Sequence, residues 1–280
     1  MGDRCDVTLS AGLRREGRCH RSVHLELPDA AARRRLVDEL GGALPAHRVT
    51  GLLAATVSAI GDVQTPSTDD LRALAIGDRD RIVLALRRRL IGDRLECVCD
   101  CPCGETLELT LSVGDLLGDA PDEPAAREAE ATGAEGRVVR ARAANGADHE
   151  LAAELAQADL AAAARELLER CVLETRDANG AVCEPEDELL ALASGLLEEL
   201  DPGAEIVLRG KCPACGRKVK VLLDPGGYLW EELEQWRQRF ELEIHVLASA
   251  YHWSEADIVA LDSARRARYI DLVDRFAPAR

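Results

Sequence analysis

Two distant segments of this chain share one pattern, and that pattern most constrains the fold. Residues 94–113 and 205–224 each contain an alternating apolar and polar stretch, a Cys-Pro-(x)-Cys-Gly turn and a second alternating stretch. Such alternation predicts half-buried β-strands, and a glycine after the second cysteine permits a tight reversal of the chain. Each segment is therefore predicted to form a β-hairpin with cysteines at its tip.

The cysteines of the two turns predict a shared metal site. Two thiolates from each hairpin would complete the closed tetrahedral four-sulfur coordination that structural zinc prefers. The second turn has a regular C-x-x-C-G motif with Cys212 and Cys215, whereas the first has the shorter C-x-C-G motif with Cys101 and Cys103. Aligning the two motifs favours Cys101 and Cys103 as the first pair of ligands, with Cys99 as the alternative ligand.

A disulfide, a redox-active dithiol and a set of buried thiols are the alternatives to metal. A redox C-x-x-C motif begins a helix, where the helix dipole lowers the thiol pKa, but both flanks here have strand patterns. Residues 1–20 lack the apolar core of a secretion signal, and the apolar stretch 49–60 is too short to cross a membrane. We therefore expect a soluble protein of the bacterial or phage-infected cytoplasm, where ten cysteines favour metal over disulfides.

The charge of the chain limits its partners. Its 280 residues include 35 Lys and Arg against 51 Asp and Glu, for a net charge of −16. Phosphate binding needs a basic surface, so this charge opposes a nucleic-acid partner. A local patch of Lys211, Arg217, Lys218 and Lys220 contains every lysine of the chain. We interpret it as the solvated face of the second hairpin rather than as a nucleic-acid site.

Outside the hairpins, helical periodicity prevails. The predicted fold is α+β and mainly helical, with the two hairpins forming a split zinc-ribbon-like unit. Helices are predicted over residues 30–40, 46–60, 69–75, 79–90, 158–172, 185–200 and beyond 227. The predicted regions are an N-terminal helical region (1–66), helices plus the first zinc-knuckle hairpin (67–117), an acidic linker (118–136), a small strand and turn plus helices (137–204), the second zinc-knuckle hairpin (205–225) and a C-terminal helical segment (226–280).

All aromatic side chains of the Trp, Tyr and Phe types lie after Gly227. Trp236 and Phe240 follow the helical stripe of the last long helix, which predicts core positions. Trp230 and Trp253 fit the core and a partner surface equally well, because Trp also anchors protein interfaces. The aromatic side chains of the C-terminal segment therefore either form a core within the segment or face a partner protein.

One acid–base triplet invites a catalytic interpretation. Asp148, His149 and Glu150 are consecutive, and three consecutive residues cannot share one face of a helix or strand. The chain also has no Gly-x-Ser-x-Gly motif, dinucleotide fingerprint or phosphate loop. We therefore expect that the protein is not an enzyme.

Two segments resemble a known family. Residues 74–104, LAIGDRDRIVLALRRRLIGDRLECVCDCPCG, are similar to a segment of phage-type baseplate proteins in which a Gly-x-Arg-Asp helix leads into a cysteine knuckle. Residues 240–269, FELEIHVLASAYHWSEADIVALDSARRARY, look like the C-terminal signature of the same family. Over residues 70–275 the chain resembles the T-even-type phage baseplate hub assembly chaperones, which also occur in contractile injection system gene clusters. It departs from the family pattern at the first knuckle, where C-x-C replaces C-x-x-C.

The resemblance implies a non-enzymatic assembly chaperone or scaffold that binds a hub or spike subunit of a contractile tail. With the late aromatic cluster, it predicts partner contacts at Trp230, Trp253, Arg265, Arg266 and Tyr269. The alternative is a zinc-ribbon protein associated with nucleic acid or transcription, which should show a continuous basic stripe. A metalloenzyme ranks third, because four cysteines leave no open position on zinc.

Overall fold

The computed structural model describes residues 6–276. Within that range the protein mixes helix and sheet, with 49% of residues helical and 25% in strands. Its strands form small antiparallel sheets rather than one large one. Cys5 lies outside the described residues.

Residues 1–66 were predicted to be a helical region, but the described part of that region also contains the first sheet. Residues 7–25 form an antiparallel hairpin, with Val7 opposite Val23. Val7, Leu9 and Leu13 are buried, which is the period of two of a strand. Arginines at the end of the first strand and a register irregularity after Thr8 interrupt that period. The sheet contains β1 (Val7–Arg15), β2 (Arg18–Leu25), β3 (Val57–Ile60) and β4 (Val63–Gln64), in that order.

Helices cover this sheet and complete the main core. The predicted helices at residues 30–40 and 79–90 are confirmed, although the second begins earlier, at Ile76. Residues 57–60, predicted to end a helix, are strand β3. Asp29 accepts a hydrogen bond from the Ala32 backbone N–H at 2.7 Å and so caps the first helix. The helices are α1 (Ala30–Leu40), α2 (Pro45–Thr56), α3 (Thr68–Arg72) and α4 (Ile76–Leu90).

The two cysteine-containing segments each form two antiparallel strands. Leu95 and Cys97 of the first pack with Leu208 and Leu223 of the second, and Leu84 of α4 joins this small core. The inner faces of the two strand pairs are therefore stacked on each other. The elements are β5 (Arg94–Asp100), β6 (Thr106–Ser112) and α5 (Val113–Leu117) in the first segment, and β10 (Ile206–Lys211) and β11 (Lys218–Leu223) in the second.

The chain between the two pairs forms a third layer. The predicted acidic linker contains strand β7 (Glu128–Thr132), whose residues Ala129 and Ala131 pack against helix α8 (Asp187–Leu200). Because alanine is small and is also common in helices, the alternation of Ala129 and Ala131 with polar residues did not predict a strand. Asn145, predicted to be a turn residue, caps a helix by accepting a hydrogen bond from the Asp148 backbone N–H. The elements are β7 (Glu128–Thr132), β8 (Val138–Arg142), α6 (Gly146–Leu155), α7 (Leu160–Cys171), β9 (Val172–Arg176) and α8 (Asp187–Leu200).

The C-terminal helices fold back on one another. The long helix α9 (Pro225–Tyr251) ends where His252 adopts a left-handed conformation, with φ of 56°. The following helices α10 (Glu255–Val259) and α11 (Ser263–Phe276) both pack on α9. No helix among residues 6–276 is long and apolar enough to span a membrane.

Candidate metal centre

Both cysteine turns are closed by backbone hydrogen bonds. In the first turn the Gly104 N–H donates to the Cys101 carbonyl at 2.8 Å, and in the second the Gly216 N–H donates to the Cys212 carbonyl at 2.9 Å. Gly104 has φ of 92° and Gly216 has φ of 70°, values that favour glycine over residues with a Cβ. The glycine in each motif is therefore required by the turn that presents the sulfur atoms.

The turns bring four sulfur atoms together. The Sγ atoms of Cys101, Cys103, Cys212 and Cys215 all lie within 4.8 Å of one another. Cys101 Sγ is 3.7 Å from Cys215 Sγ, and Cys103 Sγ is 3.7 Å from Cys212 Sγ. These distances exceed the S–S bond of a disulfide, about 2.05 Å. They match the edge of about 3.8 Å that a tetrahedron with 2.3 Å metal–sulfur bonds would have. The group is compatible with a metal ion.

Two of these thiols have opposite pKa shifts. The backbone N–H of Cys215 lowers the pKa of Cys212, and with the Ala214 N–H and the neighbouring thiols brings it to about 7. At Cys101, the Cys103 N–H lowers the pKa, but burial and the thiols of Cys103, Cys212 and Cys215 outweigh it and raise the pKa to about 12. The backbone thus supports a thiolate at Cys212, which is the form that binds metal.

The remaining described cysteines stand outside this group. Cys99, the alternative ligand, packs against the sulfur cluster without joining it. Cys97 is buried in the core between the strand pairs, and burial raises its pKa. Burial also raises the pKa of Cys171, the last residue of α7, to about 11. These thiols behave as small apolar side chains.

The predicted partner contacts at Trp230 and Arg266 need correction. Trp230 is only 3% exposed and belongs to the main core, where the Arg48 guanidinium lies 4.5 Å above its ring. Arg266 is 4% exposed, and its Nε donates to Glu243 at 2.9 Å. Trp230 packs in the main core, and Arg266 is enclosed where α11 folds back onto α9, so both side chains lie in the interior rather than on a free surface.

The other three predicted contacts lie at the surface. Trp253 stacks on Tyr251, with ring centroids 4.7 Å apart, and meets the Tyr269 ring edge-on at 4.9 Å. All three rings are half-buried, and Arg265 is exposed. The end of α9 and the middle of α11 therefore present a partly exposed aromatic cluster beside a cation.

A buried polar network was missed by the sequence analysis. The Arg79 guanidinium donates to the Leu71 carbonyl at 2.9 Å and to the Thr50 hydroxyl at 2.7 Å. The Thr50 hydroxyl in turn donates to the Glu150 carboxylate, which also receives Arg72 Nε at 2.8 Å. This network joins α2, α3, α4 and α6, so it has a structural role. The Asp-His-Glu triplet was its only sequence signal.

Asp148, the first acid of that triplet, has different partners from those of Glu150. Asp148 is buried and accepts hydrogen bonds from Arg142 at 2.6 Å and from Arg170 at 3.2 Å. Although burial raises the pKa of Asp148, hydrogen bonds from Arg142 and Asn145 outweigh it and lower the pKa. Asp148 and Glu150 therefore bind different arginines and do not converge on one site.

Comparison of the chain with protein-family models, curated proteins and solved structures found no match. Any statement about function therefore rests on the residues and geometry of this chain. The residues and their geometry define a mixed helix-and-sheet protein with a four-cysteine cluster that is compatible with a metal ion.

Proposed function

We propose that Cys101, Cys103, Cys212 and Cys215 bind one structural Zn²⁺ and that the two strand pairs form a split zinc ribbon. The 3.7 Å contacts between sulfur atoms of different hairpins support this assignment. Four thiolate ligands fill the tetrahedral coordination that zinc prefers and leave no open position for a substrate. The metal would therefore have a structural role.

Zinc at this position would connect distant parts of the chain. Cys101 and Cys215 are 114 residues apart, and their strand pairs adjoin α4 and α9 through Leu84 and Tyr228. A cross-link that closes so long a loop restricts the unfolded chain strongly. Zinc would thus hold both hairpins on the helical body.

For the whole protein, the proposed function is that of a non-enzymatic assembly chaperone or scaffold for the baseplate hub of a phage-tail-like contractile particle. The resemblance of residues 74–104 and 240–269 to baseplate hub assembly chaperones supports it. The first segment supplies helix α4 and the first cysteine turn, and the second supplies the end of α9, helix α10 and the first half of α11. The partly exposed cluster of Tyr251, Trp253 and Tyr269 is the proposed contact for a hub or spike subunit.

Deleting the gene and imaging particles by electron microscopy tests this role. We expect cells without the protein to lack complete contractile tails, and the intact gene supplied in trans to restore them. A Trp253→Ala/Arg265→Glu variant should stay folded but fail to restore tails, because it removes exposed partner contacts. Glu241→Ala, at an exposed position elsewhere on α9, is the control. Complete tails at normal yield without the protein would exclude an assembly role.

The second candidate function is a zinc-ribbon protein that binds nucleic acid. Exposed basic residues on the second hairpin favour it, and the net charge of −16 opposes it. A gel-shift measurement at physiological salt distinguishes the two. Binding of duplex or single-stranded nucleic acid at micromolar protein would favour this second function.

A further inference from the structure

The four sulfur atoms of the metal centre include two contacts that each join one hairpin to the other. Cys101 Sγ lies 3.7 Å from Cys215 Sγ, and Cys103 Sγ lies 3.7 Å from Cys212 Sγ. No sulfur atom is shared between the two contacts. The cluster therefore divides into two cross-hairpin pairs of cysteines, and a disulfide bond in either pair would join the same two turns that a metal ion joins.

Burial differs within each of these pairs. Cys103 and Cys215 are exposed, whereas Cys101 and Cys212 are buried. Each pair thus combines one sulfur atom that a dissolved oxidant reaches with one that is shielded from it. Cysteines that sense oxidants have this arrangement, because the accessible sulfur is oxidised first and a neighbouring thiol then converts it to a disulfide.

The other described cysteines are placed differently. Cys97 and Cys171 are buried, and Cys99 packs beside the cluster without joining it. Cys19 is exposed, but its Sγ donates a hydrogen bond to the Ala11 carbonyl. Oxidation by a small oxidant is therefore expected to begin at the exposed sulfur atoms of the two turns.

The short first motif favours pairing between the hairpins over pairing within each turn. Cys101 and Cys103 flank a single residue, so a disulfide between them closes a very small ring with little freedom to reach the geometry that a disulfide requires. A disulfide between Cys212 and Cys215 would leave the first two cysteines with only each other. Pairing across the hairpins uses all four sulfur atoms and avoids that ring.

Hydrogen peroxide supplies a balanced oxidation for each pair. The exposed thiolate attacks one peroxide oxygen, the O–O bond breaks, and a sulfenic acid and a hydroxide ion form. The buried thiolate then attacks the sulfenic sulfur, which expels a second hydroxide ion as the S–S bond forms. One peroxide is reduced for each disulfide. Because the thiolate is the form of cysteine that binds metal, two disulfides leave a metal ion without its four ligands.

The two disulfides would keep the hairpins together after the metal has left. Cys101 and Cys215 are 114 residues apart, and Cys103 and Cys212 are 109 residues apart. Cross-links that close such long loops restrict the unfolded chain. The small core between the strand pairs therefore keeps a covalent closure in place of the metal.

We propose that peroxide converts the cysteine cluster from a zinc site into two disulfides, Cys101–Cys215 and Cys103–Cys212, which release the metal and keep the split ribbon closed. The cluster then has two closed states, one reduced with bound zinc and the other oxidised without it. The release of metal rests on the proposed zinc site, whereas the pairing of the cysteines rests on the sulfur geometry alone.

Peptide mapping of the full chain tests the pairing. The zinc-loaded protein is treated with hydrogen peroxide, its remaining thiols are alkylated, and it is digested with trypsin without reduction. Trypsin cuts after Lys211 and Arg217, so the second turn is released as residues 212–217, and the first turn lies in residues 95–127. We expect mass spectrometry to find these two peptides linked, and fragmentation to assign both proposed disulfides. A free peptide 212–217 with an internal disulfide overturns the proposal.

Zinc release and hydrogen exchange test the consequence. About two equivalents of peroxide should release the zinc of each chain to a chromogenic chelator, because each disulfide reduces one peroxide, and a dithiol reductant with added zinc should restore it. Amides of β5, β6, β10 and β11 should exchange at least about tenfold more slowly in the oxidised, zinc-free chain than in reduced chain stripped by a chelator. Equal exchange in the two zinc-free forms overturns the closed oxidised state.

Cys99→Ser is the matched control, because Cys99 lies beside the cluster but outside it. This variant should release zinc and form the linked peptides as the parent does. Loss of the linked peptides in it, or sulfinic acid in place of disulfides in the parent, overturns the proposal. A parent chain that contains no zinc contradicts the proposed metal site instead, and peptide mapping distinguishes that failure from wrong pairing.

Discussion

The core around β1–β4 and the two cysteine turns are stabilised in different ways. The core cluster contains twenty-one buried residues, most of them from the first sheet and five helices, and each fully buried aliphatic side chain contributes about 1.5 to 3 kcal/mol. The cluster at the turns contains only Cys101, Leu107 and Cys212 as buried members. Burial is enough for the first region, whereas we expect the second to depend on a metal ion held by its four sulfur atoms.

The largest loss of stability is expected at the cysteine turns, the weaker of the two regions. Structural zinc contributes about 10 to 16 kcal/mol in small zinc-finger peptides, so Cys212→Ser should remove most bound zinc and release the cysteine turns. Elemental analysis should show about one zinc per parent chain and almost none in the variant. Hydrogen exchange should accelerate in β5, β6, β10 and β11.

Cys99→Ser is the matched control, because Cys99 lies next to the cluster but outside it. It should keep its zinc and its protected amides. Parent protein that contains no zinc when purified without chelator would contradict the metal assignment itself.

The next effect concerns the buried charge in the main core. Arg79→Ala should destabilise the protein by about 3 to 5 kcal/mol, because it leaves the buried Leu71 carbonyl without the donor that Arg79 supplies and opens a cavity in the core. Urea denaturation measures the change. Arg35→Ala, at an exposed position, should change stability by less than about 0.5 kcal/mol. A similar small loss for Arg79→Ala would show that water replaces its contacts.

A cavity in the main core should lower stability without affecting the metal. Leu53 is fully buried, so Leu53→Ala should cost about 2 to 5 kcal/mol. Zinc content measured below the melting temperature should remain that of the parent, since Leu53 belongs to a different cluster from the cysteines. Loss of zinc in this variant would mean that the two regions fold as one unit.

A smaller effect is expected at the connection between the core and the second hairpin. Burial, together with the charges of Asp224 and Asp201 that flank that hairpin, raises the pKa of Asp80 from 3.8 to about 8 against the opposing effect of Arg79. Between these two pH values the unfolded chain loses the proton and the folded chain keeps it. Stability should therefore fall as pH rises from about 4 to about 8.

Asp80→Asn should remove this part of the pH dependence and stabilise the protein more at pH 8 than at pH 5. The change should be modest, because the Asp80 side chain is only half-buried and solvent screens its charge. Urea denaturation at the two pH values measures it. An unchanged slope of stability against pH in the variant would assign the effect to other groups.

Local patterns predicted much of the secondary structure. Alternation and Cys-Gly turns located the strands of residues 94–113 and 205–224, and helical periodicity located α1, α7 and α8. Both signals depend on residues close in sequence, which is why they can be read without the fold. Strands β1 to β4, β7 and β9 were missed. Charged residues or alanines obscured the period of two in β1, β7 and β9, and β3 continues the apolar stretch of α2.

The sequence by itself determined which residue types could bind metal and where the chain would turn to present them. Only the tertiary structure decided that Cys101, Cys103, Cys212 and Cys215 meet while Cys99 does not, and that Trp230 and Arg266 point into the interior. These outcomes depend on contacts between residues more than twenty positions apart, such as Arg266 with Glu243. A periodic pattern identifies the buried face of an element, but packing against other elements determines what that face contacts.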